Sequence, residues 1–381
     1  VLILRAAAVV VLLFSGAAFA ESAPLRVKSF DGFALDALAT NPPGLSDAEV
    51  KRVAVLIHGS GAQSMDEDLS SASKPGTTNL FFVDLTKALV AKGIATVRYN
   101  KRSYQMKLLA AKDPDIMKSA AAKSYGAKPL TTLISDARFF VAWAHKRYPN
   151  ARVYLLGHSE GSYVALQEAK DDPTVSGVGL IGFFAQTLDT ALVEQAVYRN
   201  VADFDALDKN GDGELDESEL AGDAPLQKLL RSQLALLDVN QDGKLQRSEF
   251  MAGNYASFLE DDPAAHIREY RLEEAALPRP AEILRKAEFP ISIFQGEWDN
   301  QTPAYVAKAA QILNNARWSK PDLSFHYFPK LGHALDPRDS YRDIVFRPID
   351  PEAASALAAA LDAEWGARVS VRRLLEPART K

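Results

Sequence analysis

The stretch VYLLGHSEGS, Val153 to Ser162, is an apolar run that stops at the pattern Gly157-His158-Ser159-Glu160-Gly161 and passes into a helix-forming segment, Glu160–Lys170. A short apolar run of this kind, ending at glycine, reads as a strand buried on both faces, here Arg152–Gly157. Strand, turn and helix are the setting in which G-x-S-x-G carries chemistry. Ser159 must sit on a sharp, strained turn. Side chains two positions to either side would collide with the neighbouring strand and helix, which accounts for both glycines. The helix N-terminus also aims N–H groups at a reacting carbon.

Working outward, Val53–Gln63 (VAVLIHGSGAQ) is another apolar run followed by a Gly-rich turn. Ile94–Asn100, Val175–Phe184, Pro290–Phe294 and Leu323–Phe328 read as further strands, and Arg26–Thr40 as a β-hairpin around Asp31-Gly32. Helices are expected between them. The first is capped by Asn79, with Phe81, Leu85 and Leu89 at four-residue spacing, and Thr131–Tyr148, Pro303–Asn314 and Pro351–Trp365 follow. Gln105–Leu130 reads as loose helical turns. This alternation predicts an α/β fold, a mostly parallel sheet covered by helices on both faces. It lapses between Asp189 and Arg285, where helices and acidic loops take over. The chain thus divides into residues 1–20, a body of 21–188 plus 286–381, and a helical insertion, 189–285.

A net charge of −5 and the lack of a long Lys/Arg run exclude nucleic acid as the main partner. The chain has no Cys, which excludes disulfides, thiol nucleophiles and thiolate metal sites. Residues 1–20 carry Arg5, an apolar run and then Ala18-Phe19-Ala20, the pattern of a secretory signal. Cleavage after Ala20 and export to a bacterial periplasm or the medium are expected. No later run is long enough to span a membrane.

A serine needs a base to become a nucleophile. Of the six histidines, His333 in FPKLGHALD follows the last strand, where it could reach across the carboxyl ends of the sheet. His58, His145, His158, His266 and His326 read as structural or surface residues. The orienting acid should follow an earlier strand, and IFQGEWDNQTP offers Asp299, with Glu297 as its competitor. The order is then Ser159, Asp299, His333.

In these features the chain resembles the α/β-hydrolase superfamily, in particular exported bacterial serine hydrolases with an HGSG turn (His58–Gly61), an RY-x-KR stretch (Arg98–Arg102) and a GHSEG elbow. The resemblance covers the body outside the insertion. It implies an oxyanion hole made by the N–H groups of Ser60 and Glu160, and an insertion placed as a cap over the active site.

Inside the insertion, LDKNGDGELDESEL fits the twelve-residue calcium loop D-x-[DN]-x-[DN]-G-x5-E. Asp208, Asn210, Asp212, the carbonyl of Glu214, Asp216 and Glu219 stand at the ligand positions of loop 208–219. Loop 238–249 repeats the pattern with Asp238, Asn240, Asp242, the carbonyl of Lys244, Gln246 and Glu249. Calcium takes six to eight hard oxygens, and this spacing supplies them. The two loops resemble an EF-hand pair binding two calcium ions, with Leu215 placed to pair with the second loop. Pro225 predicts a short exiting helix after the first. More carboxylates in the first loop predict tighter binding there.

The reading that results is a secreted hydrolase of carboxylic esters acting through Ser159, His333 and Asp299, with calcium holding the cap in one shape. Its partner would be a small ester or short peptide. A serine peptidase, amidase or thioesterase could use the same three residues. A calcium-dependent binding protein on an inactive hydrolase scaffold is the reading of another class, and the intact set of three argues against it.

Overall fold

The computed structural model describes residues 25–261 and 268–375, so the signal expected at 1–20 lies outside the described residues. Among the described residues there are ten strands: β1 (Leu25–Lys28), β2 (Ala34–Thr40), β3 (Arg52–Ile57), β4 (Ala95–Tyr99), β5 (Arg152–His158), β6 (Val175–Ile181), β7 (Glu214–Leu215), β8 (Leu245–Gln246), β9 (Ile291–Gly296) and β10 (Leu323–Phe328). Eight form one sheet in the order β1-β2-β4-β3-β5-β6-β9-β10. β1 and β2 are a hairpin in register Arg26↔Asp36, and β2 runs antiparallel to β4. From β4 to β10 every pairing is parallel.

Side chains alternate between two cores, as pleated strands covered on both faces require. Val53, Val55, Val153, Leu155, Val178 and Leu180 enter one core, with the helices Pro129–Arg147 and Glu160–Ala169. Ala54, Leu56, Tyr154, Leu156, Ile181 and Phe294 enter the other, with Phe81–Ala91 and the helix that starts at Pro351. Trp365 locks that last helix down. Its ring stacks on Tyr154 at 4.0 Å, an aromatic pair of the kind that adds about 0.5–1.5 kcal/mol beyond simple burial.

Topology fixes where a site can form. From β3 the chain moves to β4 on one side and then returns to β5 on the other. Strand order reverses between β3 and β5, and the crevice outside their carboxyl ends is where such sheets bind ligands. The His58–Gly61 turn leaves β3 there, and Ser159 leaves β5 there.

Between the neighbouring strands β6 and β9 lies the helical crossover that contains loops 208–219 and 238–249. One helix runs without interruption from Leu188 to Leu207, with a π-turn at Glu194–Tyr198, and leads into loop 208–219. The EF-hand pair has its own core of Phe204, Leu215, Leu220, Leu230, Leu245 and Phe250. β7 and β8 join the loops with Leu215 opposite Leu245. The helix after the first loop spans only Glu217–Leu220, and Pro225 opens the next.

Several boundaries differ from the sequence reading. Asn79 does not cap a helix. The helix begins after Leu80, and the Asn79 side chain donates to Ser73 Oγ at 3.1 Å. β6 stops at Ile181 because Gly182, at φ +58°, turns the chain beneath the His333 ring. Residues 102–127 are more ordered than loose turns, forming two helices, Arg102–Ala110 and Ala120–Ala127. Among the described residues no helix is long and apolar enough to cross a membrane.

Candidate active site

Ser159 stands between β5 and the Glu160–Ala169 helix at φ +54°, ψ −123°. The conformation is strained for a residue with a side chain and is held by its N–H donating to the Ile181 carbonyl at 2.8 Å. The flanking glycines are a steric requirement. A Cβ on Gly157 would lie 2.2 Å from the Gly161 oxygen, and one on Gly161 would lie 2.1 Å from the Ile57 oxygen.

His333 and Asp299 come together from the loops after β10 and β9. His333 Nδ1 is 2.9 Å from Asp299 Oδ2, and both side chains are buried. Asp299 Oδ2 also accepts from Thr302 Oγ1 at 2.7 Å and Gln295 Nε2 at 2.8 Å, while Oδ1 accepts the N–H groups of Gln301 and Thr302. Burial alone would raise this carboxyl, but His333 and the Thr302 donors outweigh it and hold it below the ordinary carboxylate range. Glu297 points elsewhere and pairs with Lys308 at 2.9 Å.

Ser159, His333, Ser60 and Glu160 line one cleft of about 460 Å³. The body adds Leu69 and Phe346 to its walls, and the crossover adds Leu188, Leu192, Gln195 and Tyr270. The crossover is fastened nearby. Gln195 donates to the Gln301 carbonyl at 3.1 Å, and Glu274 accepts the Leu188 N–H at 2.9 Å. A larger cleft, about 670 Å³, lies among the EF-hand helices, but its lining has no serine or histidine.

Of the remaining histidines, His158 lines the same cleft with its ring 4.9 Å from that of His333, whereas His58, His145 and His326 do not line it. His58 is packed between Phe82 and Tyr99, and burial pushes its imidazole down to about 4, so it is neutral. His326 pairs with Glu364, and His145 is half-buried on a helix. His266 lies outside the described residues.

Three residues around the site, Glu67, Gln295 and Asp336, have no signal in periodicity or motif, and they are buried, as is Lys101 of the RY-x-KR stretch. Asp336 accepts the Ala334 and Arg347 N–H groups, and its carbonyl takes the Gly332 N–H at 2.7 Å, which fixes the His333 loop. Lys101 Nζ donates to the Gly59 carbonyl at 2.7 Å and to Glu160 at 2.5 Å. Arg98 bonds Asp66 at 2.6 Å, and Asn100 accepts the Met65 N–H at 2.8 Å. The Arg98–Lys101 stretch therefore clamps the segment that leaves β3. Its spacing was visible in the sequence, but its partners were not.

In the calcium loops, the carboxylates at the ligand positions accept their own backbone N–H groups. Glu219 takes those of Lys209, Asn210 and Asp216, and Glu249 takes those of Val239, Asn240 and Gln246. Asp208 and Asp238 accept the N–H of Gly213 and Gly243 in the same way. The side chains of Glu214 and Lys244 form an ion pair between the loops, leaving each residue's carbonyl as its available ligand. Among the described residues no three His, Cys, Asp or Glu side chains converge as a metal-binding group. The donor set is nonetheless all oxygen, and both loops turn at positive φ at Gly213 and Gly243. This chemistry fits a hard divalent cation such as calcium.

Other proteins share parts of this arrangement. The EF-hand family model matches residues 201–221 and 230–253. Esterase EstD of Thermotoga maritima is 31% identical over 144 residues, which cover 38% of this chain but only 30% of that protein. Est1E from Butyrivibrio proteoclasticus superposes with a TM-score of 0.48 and 15% identity, covering 90% of this chain and 100% of Est1E. The esterase domain of a Rhodothermus marinus protein superposes at 0.46 and 14%, covering 91% and 97%. The order and parallel run of the sheet, with the strand–elbow–helix at Ser159, are those of the α/β-hydrolase fold. An EF-hand pair is carried in the crossover between its β6 and β9.

Proposed function

We propose that the chain is a serine hydrolase of carboxylic esters, acting through Ser159, His333 and Asp299, with a calcium-held crossover. One observation carries the reading: Ser159, on its strained elbow, shares a cleft with His333, whose Nδ1 is held by a buried carboxylate. The partial likeness to Esterase EstD supports esters over amides as the substrate class.

Ser159 Oγ attacks the ester carbonyl as His333 Nε2 takes its proton. Asp299 fixes the tautomer and stabilises the imidazolium. The N–H groups of Ser60 and Glu160 receive the developing oxyanion. Both backbone polar groups of Gly59 are already engaged, by Glu67 and Lys101, so Ser60 provides the next donor along the turn. The alcohol leaves with the proton from His333. Water, deprotonated by the same imidazole, then releases the acid from Ser159.

Two calcium ions would be held by Asp208, Asn210, Asp212, Asp216, Glu219 and the Glu214 carbonyl, and by Asp238, Asn240, Asp242, Gln246, Glu249 and the Lys244 carbonyl. Calcium would supply rigidity and no chemistry to the ester. Export through residues 1–20 belongs to the same proposal and is tested by N-terminal sequencing of protein secreted from an expressing bacterium, which should begin at Glu21.

The test of function is hydrolysis of p-nitrophenyl acetate by the mature protein. Ser159→Ala should lower kcat by about 10⁴-fold or more. Equal turnover by the variant would sink the assignment.

A further inference from the structure

Behind Ser159 lies a second acid–imidazole pair that the proposed chemistry does not use. Glu67 Oε1 accepts both the Gly59 N–H and His158 Nδ1, each at 2.8 Å. The other ring nitrogen, His158 Nε2, is 3.3 Å from the carbonyl oxygen of His333. Three hydrogen bonds therefore run from the oxyanion turn, through the elbow, to the backbone of the base. Glu67 is 1% exposed and held at φ +45°, a conformation that residues other than glycine keep only where surroundings impose it.

We infer that Glu67 and His158 are a positioning pair for the proposed ester hydrolysis, tying the Gly59–Ser60 turn to the His333 loop so that oxyanion donors and base keep a fixed separation. A buried ion pair is a poor device for stability alone, because desolvation offsets most of its attraction. Its geometry is better explained by what it joins. A carbonyl and a carboxylate both accept, so a ring bonded to both carries two N–H groups and a positive charge balanced by Glu67. The charged and titratable groups around it agree. Glu67 faces it from the segment after β3, with His58 beyond. His333 lies 4.9 Å away ring to ring, with Asp299 behind, and Lys101 holds the far side of Gly59. Burial alone would lower the His158 imidazole, but Glu67 outweighs it and the net direction is upward, while the Glu67 carboxyl is held down. Phe81 packs on the ring at 4.7 Å.

The inference rests on the ester-hydrolase reading, and two measurements separate them. In steady-state hydrolysis of p-nitrophenyl acetate, Glu67→Gln and His158→Asn should each lower kcat by about 10²-fold, the cost of slight misplacement, with KM within about threefold. The double variant should be no worse than the poorer single. Losses in KM alone, additive losses, or a lowered Tm with unchanged kcat would overturn the pair's role. Should His158→Asn fail to fold, the near-isosteric Glu67→Gln carries the kinetic test. If the parent shows no Ser159-dependent turnover, the ester reading fails, and ¹⁵N NMR of the histidine rings judges the tie alone. Two ring N–H groups on His158 at pH 6, one of them lost in Glu67→Gln, support it. A single N–H at pH 6 overturns it.

Discussion

Gly161 shows how closely the proposed nucleophile, Ser159, is built into the sheet. Its Cα faces the Ile57 carbonyl so directly that an added Cβ would have to move β3 or the elbow. Gly161→Ala should therefore destabilise the protein by about 1–3 kcal/mol, the usual cost of overpacking, and reduce the rate at which a fluorophosphonate labels Ser159. A denaturation midpoint equal to the parent's would contradict this geometry. The Asp299 carboxylate is held by five hydrogen bonds, so Asp299→Asn should keep the fold while presenting the wrong partner to His333 Nδ1. The expected fall in kcat is about 10³–10⁴-fold with KM little changed. A loss below tenfold would remove Asp299 from the proposed mechanism.

At the scale of elements, the EF-hand pair is the part least able to stand alone. Its core is small, with six buried apolar side chains: Phe204, Leu215, Leu220, Leu230, Leu245 and Phe250. Calcium at 100 times Kd would add about 2.7 kcal/mol per site. Chelation should thus speed amide exchange in residues 201–253 and leave β3, β5 and β9 protected. Glu219→Gln should remove the tighter of two binding steps by calorimetry, and Glu249→Gln the weaker. An unchanged isotherm in both variants would refute the ligand assignment. These loops were legible in the sequence because a fixed spacing encodes their geometry, as were the elbow and the strands that enter two cores. Glu67 was not, and of Lys101 only its place in the RY-x-KR stretch was, since their roles depend on contacts with residues far along the chain. The missed Asn79 cap has a similar cause. Ser73 takes the side chain that local propensity assigned to the helix, and Ser70 Oγ accepts the Asn79 N–H.

Across the whole molecule, buried carboxyls couple the crossover and the body to pH. Glu274 accepts the Leu188 N–H and so joins the two ends of the crossover, and Glu168 faces Arg138 between two helices of the body. Burial pushes both carboxyls up to about 7, from an ordinary value of 4.5. Between those two values the folded chain binds more protons at these sites than the unfolded chain does. The stability they contribute is therefore complete below pH 4.5 and is lost as pH rises through about 7. His58 works in the opposite sense. Its imidazole falls from 6.5 to about 4 on burial, so its contribution is lost as pH falls through that window, and the parent's own curve mixes the two signs. A difference between variants removes the mixture, because His58 is common to both. Glu274→Gln keeps an acceptor for the Leu188 N–H but cannot ionise. Relative to the parent, its unfolding free energy should rise by up to about 3 kcal/mol between pH 4.5 and pH 8, as urea denaturation at each pH would show. Parallel curves for parent and variant across that range would mean that Glu274 titrates as an ordinary carboxyl, and that burial at the base of the crossover costs its charged form nothing.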